Sequence, residues 1–325
     1  MRILSKQDVE SLMTMREAIA TMEEVFAALA EKDAHVPGRT VLNLDGSENA
    51  VLFMPGYLPK SGGLGMKVVS VFPSNAARGV PTISAQILLC SAETGEVSCI
   101  LEGGSITALR TAATTAVATK HLARQDACHL GVFGAGVQAR SQIEAHREAR
   151  NFETIIIYDP DHKKAEALAQ HFQIVCGQSC PCSVAKSPDE LLALSDIIVT
   201  ATTSQTPVFN GDSLRQGTHV NAIGSYKPHV REVDDVTIRR ARIFVDSYEH
   251  ALKESGDLMI PLRTGVIGEH DILGELGELV LGRKKGREHQ DEITFFKSVG
   301  LSVQDIAVAQ KVLEKAIRGN VGLVI

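Results

Sequence analysis

The sequence has no tryptophan, and only four tyrosines and ten phenylalanines in 325 residues. Aromatic platforms for stacking bases or sugars are therefore scarce, which argues against a single-stranded nucleic-acid binder. Excess positive charge is missing as well: 33 lysines and arginines face 39 aspartates and glutamates, a net charge of −6. A nucleic-acid partner calls for a basic face that neutralises phosphates, so none is expected. No apolar run approaches the roughly 18 residues of a membrane span, and MRILSKQDVE lacks the apolar stretch of a secretory leader. Six cysteines are too few for a disulfide framework in a chain of this length. A reduced, cytoplasmic protein is the expectation.

Hydrolase and metal motifs are absent too. None of the 11 histidines stands at HExxH-like spacing, and there is no G-x-S-x-G elbow. Cys176, Cys180 and Cys182 form C-x3-C-x-C, but no second cluster follows at zinc spacing. They are expected to be unpaired thiols in a loop between strand and helix, with no metal bound.

What is present is a folded enzyme-sized chain. Hydrophobic residues make up 44% and charged residues 22%, and at about 150 residues per domain the length suggests two domains. Residues 5–32 suggest a capped helix pair, with Val9, Leu12 and Met13, then Ile19, Met22, Val25, Phe26 and Leu29 at helical spacing. VLFMPGYL, GMKVVSVFP, ISAQILLC and EVSCILEGG suggest four strands, the last two joined as a hairpin turning at Gly95. Residues 104–123 form an Ala/Thr-rich helix whose small residues on several faces imply close packing on both sides.

Strands and helices then alternate. The expected order is HLGVFG, the helix VQARSQIEAHREAR, TIIIYD, the helix HKKAEALAQHF, a short strand QIVC and the helix SPDELLAL. The strands DIIVTAT, THVNAIG and RIFVDS follow. Near-continuous apolar strands in such an alternation indicate a parallel sheet covered on both faces. GRKKGREHQDE is expected to be a solvated loop, and the last 25 residues an amphipathic helix with a short tail.

The strand HLGVF runs directly into Gly134-Ala135-Gly136-Val137-Gln138-Ala139, the G-x-G-x-x-A form of the Rossmann fingerprint. Gly134 makes the tight turn, Gly136 lets a pyrophosphate approach the backbone, and Ala139 permits close helix–strand packing. The helix N-terminus beyond supplies free N–H groups. Asp159 ends the next strand, 23 residues after Gly136, near the ~20 expected of the acid that binds the ribose hydroxyls. A carboxylate there repels a 2′-phosphate and favours NAD(H), while His162, Lys163 and Lys164 nearby leave NADP(H) open. Further cofactor contacts are expected where later strands end, at Thr202-Thr203 and at Ile223-Gly224-Ser225.

Three cations stand in apolar or glycine-rich settings outside this half: Arg39 after VPG, Lys67 within GLGMKVVSVF and Arg110 within TALRTAATTA. Charged groups are rarely buried without a partner. Together they suggest a pocket for a carboxylate, with arginine supplying the bidentate fork.

The segments VPGRTVL, GLGMKVVSVFP, GVPTISAQILL, GGSITALRTAATTAVA, GVFGAGVQAR, SDIIVTATTS, NAIGS and KSVGLSVQDIA resemble the ornithine cyclodeaminase/mu-crystallin family, in order and almost end to end. The resemblance implies a Rossmann-type doubly wound parallel-sheet domain plus a discontinuous α+β domain for substrate binding and dimerisation. The boundaries would be 119–302 for the former, and 1–118 with 303–325 for the latter. It implies that Arg39, Lys67 and Arg110 grip the substrate carboxylate, and that Thr82 and Arg110 lie near both cofactor and substrate. Val137, Gln138, Asp159, Thr202 and Ser298 would touch the dinucleotide, with Val299 beside the substrate.

One position departs from the pattern. The ornithine cyclodeaminases of this family carry an aspartate just after NA-[IV]-G-x, where this chain has Tyr226, and the next carboxylate is Glu232. A tyrosine with a pKa near ~10 is a poor base at neutral pH but a good hydrogen-bond donor. The expectation is therefore reduction of a small cyclic imino acid, Δ1-pyrroline-2-carboxylate to L-proline, with Lys67, Arg110 and Tyr226 as the catalytic groups. Ornithine cyclodeamination, alanine-dehydrogenase-like oxidoreduction and small-molecule binding of the mu-crystallin kind are the alternatives. A homodimer is expected from the family, and Asp305, in SVQDIAVAQ, is either a proton-handling or supporting group at the site, or an ordinary cap or partner for an arginine.

Overall fold

The structure is a computed structural model that describes residues 1–44, 46–177 and 180–325. Two compact units divide it: Met1–Arg110 with Gly300–Ile325, and Thr111–Val299. The division falls at 110/111 and 299/300, where the sequence suggested 118/119 and 302/303.

The first unit opens with β1 (Arg2–Leu4) and the helix pair α1 (Lys6–Leu12) and α2 (Met15–Ala30). Each helix starts with a capping box, Ser5 with Asp8 and Thr14 with Glu17, in which side chain and backbone satisfy each other. Next come β2 (Thr40–Asn43), β3 (Ala50–Leu58), β4 (Gly63–Val71), β5 (Ile83–Cys90) and β6 (Val97–Glu102). Gly95 turns the β5–β6 hairpin at a φ of 77°, a backbone angle glycine adopts freely. The helix α3 (Gly103–Leu122) runs through the division between the units, with Ala112, Ala113, Ala116, Val117 and Ala118 all buried.

The second unit carries the alternating pattern. It contains β7 (His129–Phe133), α4 (Val137–Ala149), β8 (Thr154–Tyr158), α5 (His162–Cys176), β9 (Cys182–Val184) and α6 (Pro188–Leu194). After these come β10 (Ile197–Thr200), β11 (His219–Ala222), α7 (Asp235–Arg240), β12 (Ala241–Val245), α8 (Tyr248–Glu254) and α9 (Gly256–Arg263). The elements β13 (Ile272–Glu275), α10 (Leu276–Val280) and β14 (Ile293–Lys297) complete it. The chain then re-enters the first unit as α11 (Ser302–Gly319) and β15 (Leu323–Val324).

All the pairings in the second unit are parallel, in the order β13-β12-β14-β11-β10-β7-β8-β9. The strand order reverses at β7 and β10, the switch point where open sheets of this kind take ligands. The first unit's sheet runs β15-β1-β6-β5-β4-β3-β2, antiparallel except for β1 with β6. Across it lies α11, packed on β3, β4 and β5 and against α2. Close approach is possible because Gly56 and Gly63 carry no side chain: a Cβ on Gly56 would stand 2.7 Å from the Ser302 hydroxyl, and one on Gly63 3.2 Å from Ile306.

Two sequence expectations change. QIVC is not a strand but the last turn of α5: Phe172 and Cys176, four residues apart, are buried on one face, leaving Ile174 and Val175 exposed. Cys176, Cys180 and Cys182 form no disulfide, and they do not share a loop. The first ends a helix, the last lies in β9, and all three are packed in the core between α5 and the sheet. The last 25 residues form the expected amphipathic helix, α11, whose first turns from Ser302 to Ala309 are wholly buried, and their short tail forms β15 beside β1. Among the described residues no helix is long and apolar enough to cross a membrane.

Candidate active site

In β4 the side chains alternate, and Gly63, Gly65 and Lys67 fall on the buried face beneath α11. Lys67 is the first of the three with a side chain, and it is buried. Its ammonium lies 2.5 Å from Asp305 Oδ2 and 3.4 Å from the Thr107 hydroxyl. From α3, Thr107 and Arg110 project three residues apart on one helix face. Arg110 Nε donates to Asp305 Oδ1 at 3.1 Å, and Nη1 donates to Gln304 Oε1 at 3.2 Å. Arg39 is half-buried and donates to the Gly300 carbonyl at 2.8 Å. Gly300 has a φ of 80°, and a Cβ there would stand 2.5 Å from Arg110 Nη1, so only glycine lets the guanidinium occupy this position.

The three cations named from the sequence thus cluster around one buried carboxylate. Burial pushes the Lys67 ammonium down to about 8, with Asp305 opposing and Arg110 and Arg39 adding to the shift. Burial alone would raise Asp305; the Arg110 and Lys67 charges outweigh it and hold the carboxyl below its ordinary range. Two buried cations against one carboxylate, with Arg39 beside them, leave positive charge unmatched. An anion such as a carboxylate is the complement. Thr82 lies half-buried in the loop before β5, where its carbonyl accepts from the Phe72 N–H.

In the second unit Gly134 leaves β7 at a φ of 102°, and a Cβ on it would stand 2.5 Å from the Ala201 carbonyl at the end of β10. Gly136 is the N-cap of α4, with no side chain capping it, and a Cβ there would meet open space. The first N–H groups of α4, from Val137 and Gln138 onward, therefore face an open anion site at a helix terminus. Ala139 is fully buried against the sheet. Asp159 follows β8 and reaches back to this turn, accepting the Ala135 N–H at 2.9 Å and the Asp161 N–H at 2.8 Å. Lys164 pairs with Asp161, and Lys163 and His162 are exposed. Open glycine turn, uncapped helix end and adjacent carboxylate together fit a dinucleotide.

The other expected cofactor residues are tied to carboxylates that the sequence reading had not placed. Glu232, wholly buried, accepts from the Thr200 hydroxyl, from the N–H and hydroxyl of Thr202, and from the Gly224 N–H. It joins the ends of β10 and β11. Asp246, after β12, accepts the Ser298 hydroxyl and the Val299 N–H, each at 2.8 Å. The Ser225 hydroxyl is turned inward onto the Val230 carbonyl, whereas Ile223 and Tyr226 are half-buried in the loop that follows β11. Cys128, His129 and Glu153 bring donor atoms within 4.8 Å of one another where β7 and β8 begin, but the His129 Nδ1 is engaged with the Thr154 hydroxyl.

A fully parallel nucleotide-type sheet, joined to a unit with a buried cationic cluster, defines a dinucleotide-binding class that handles small anions. The comparisons narrow the class. The model of the ornithine cyclodeaminase/mu-crystallin family matches residues 1–320, and the chain belongs to that family. It is 40% identical over 323 residues to a Delta(1)-pyrroline-2-carboxylate reductase of Bacillus cereus, covering 99% of this chain and 98% of that protein. The structure of Thermococcus litoralis Delta(1)-pyrroline-2-carboxylate reductase in complex with NADH and L-proline is 42% identical, with a TM-score of 0.97 and full coverage of both chains. An archaeal alanine dehydrogenase dimer with bound NAD is 36% identical, with a TM-score of 0.93, over 100% of this chain and 98% of that one.

Proposed function

We propose that the protein reduces Δ1-pyrroline-2-carboxylate to L-proline with NADH. The observation that carries this reading is the buried pair Lys67 and Arg110 around Asp305, which leaves positive charge for one substrate carboxylate. The similarity to Delta(1)-pyrroline-2-carboxylate reductases over essentially the whole chain supports it.

The dinucleotide supplies a hydride. Gly134, Ala135, Gly136, Val137 and Gln138 form its pyrophosphate turn, and Asp159 takes the ribose hydroxyls. Thr202, Ile223, Gly224, Ser225 and Ser298 line the strand ends. Arg39, Lys67 and Arg110 hold the imino-acid carboxylate, which sets the face and distance of the C=N carbon. Thr82 and Val299 bound the substrate, and Arg110 and Thr82 stand near cofactor as well as substrate. Reduction adds hydride to carbon and needs one proton at nitrogen. The Lys67 Nζ, poised at about 8, and the Tyr226 hydroxyl are the chain's own donors for that proton. The protein acts as a cytoplasmic homodimer in this reading, in keeping with the dimeric archaeal alanine dehydrogenase; light scattering on the purified protein checks the assembly.

The decisive assay is a matched pair on one preparation. Loss of reduced-nicotinamide absorbance is followed with Δ1-pyrroline-2-carboxylate, and ammonia release is followed from L-ornithine with NAD. Rapid reduction without ammonia is the expected result. Ammonia from ornithine, with no reduction, overturns the proposal and shows that another group serves where Tyr226 replaces the aspartate.

A further inference from the structure

We infer that Asp305 is the positioning residue of the carboxylate clamp, holding the Lys67 ammonium and the Arg110 guanidinium side by side in a site that would otherwise drive them apart. The inference rests on the imine-reductase reading and deepens it.

The geometry assigns one oxygen to each cation. Oδ2 takes Lys67 from β4 at 2.5 Å, and Oδ1 takes Arg110 from α3 at 3.1 Å. The neighbouring Gln304 continues the arrangement: its Oε1 accepts Arg110 Nη1 and also the Leu301 N–H at 2.8 Å. The first turn of α11 therefore sets both the separation and the orientation of the two cations. Thr107 closes the group, with its hydroxyl 3.4 Å from both Lys67 Nζ and Asp305 Oδ1. An ammonium has three N–H groups. Asp305 and Thr107 account for two on Lys67, and the third has no partner among the described residues. That donor, in a buried site, is the one offered to a ligand.

The charges facing Lys67 are Asp305 from α11, Arg110 from α3 and Arg39 from the loop before β2. Among these, only Asp305 favours the ammonium; burial and both arginines oppose it. Without the Asp305 charge, Lys67 sheds its proton at a lower pH, and the clamp loses one of its cations. An ordinary helix cap would have no such effect on a residue 238 positions away in sequence.

The test is Asp305→Asn in the full chain, assayed with NADH and Δ1-pyrroline-2-carboxylate from pH 5.5 to 9. At pH 7.5 kcat/KM is expected to fall about 100-fold or more, the scale for unpairing a buried charge. Its alkaline limb should move to lower pH than in the parent, so that acid restores part of the activity. NADH affinity, read by fluorescence titration, stays unchanged. An unmoved limb, or the same loss at every pH, overturns the inference and reduces Asp305 to a structural group. If Asp305→Asn does not fold, Asp305→Glu carries the test. It should raise KM for the imino acid several-fold at unchanged NADH affinity, and a parental KM in that variant also overturns the inference. Failure of the functional reading looks different, because the parent protein itself would then not turn over the imine.

Discussion

Each unit of the protein buries a trio of charged side chains, and the two trios carry opposite surplus charge. In the first unit Lys67 and Arg110 share Asp305. In the second, Glu232 and Asp257 stand with Lys297, whose ammonium is 2.8 Å from Asp257 Oδ2; the contact is an ion pair not aligned as a hydrogen bond. The surplus carboxylate charge is absorbed internally. Glu232 accepts from four donors, and Asp257 Oδ1 accepts the N–H groups of Glu232 and Val233. Backbone N–H and hydroxyl groups are plentiful, so a buried anion can be satisfied by neutral protein atoms. A surplus cation needs an acceptor of comparable strength, and the first unit supplies one carboxylate for two cations. The sign of the surplus separates a trio that braces strand ends from one that waits for an anion.

The comparison is broken most severely by removing a cation from the first trio. Arg110→Met should lower kcat/KM for the imino acid about 1,000-fold, near 4 kcal/mol, while NADH affinity falls far less. Steady-state kinetics with fluorescence titration of NADH checks both parts, and an equal loss of NADH binding would refute the division of labour.

Acid sharpens the contrast next, because the second unit also buries uncharged histidine. Burial holds His146 down at about 4, below its ordinary 6.5, where it meets the Thr119 hydroxyl at 3.0 Å. Below pH 6.5 the unfolded chain takes up a proton that the folded chain refuses until about pH 4. Stability should fall across that window by roughly 3 kcal/mol from this residue alone. His219, wholly buried and shifted in the same direction, adds to the loss. Denaturant titrations at pH 7 and pH 4 measure it, and flat stability between them would contradict the assignment.

Glu232→Gln tests the second trio directly. It replaces one acceptor oxygen with a donor facing the N–H of either Thr202 or Gly224, and should cost about 2 kcal/mol of stability. The affinity for the imino acid should change little, the reverse of the outcome for Arg110. Thermal unfolding together with KM distinguishes the two. The smallest effect is expected at Asp159→Ser, which removes the carboxylate proposed to bind the ribose and should shift the NADH-to-NADPH preference by about tenfold. Kinetics with each nucleotide report that ratio.

Much of this arrangement was legible in the chain. The strand–GxGxxA–helix turn, Asp159 at the next strand end, the hairpin at Gly95 and the small-residue helix α3 all follow from local pattern. Lys67 and Arg110 were conspicuous as charges in apolar settings. Other features were hidden. QIVC is β-branched and apolar, which suggests a strand, yet Phe172 and Cys176 bury one helical face and extend α5 instead. The strand β14 was missed, and it separates β11 from β12, which are neighbours in sequence but not in the sheet. Glu232 and Asp246 carried no motif, and Asp305 was named without its particular partners, because each acts on groups brought near by the fold.

Local chemistry in the sequence alone determined the dinucleotide turn, because glycine geometry and a helix terminus need only adjacent residues. It also determined which cations were out of place, since burial follows from the apolar run around them. Only the tertiary structure decided what those cations meet. Asp305 lies 238 residues from Lys67 and 195 from Arg110, and no spacing rule connects them. The contact exists because α11 returns across β3 and β4, where glycines admit it. Desolvation in that closely packed place is what turns three ordinary charges into a clamp.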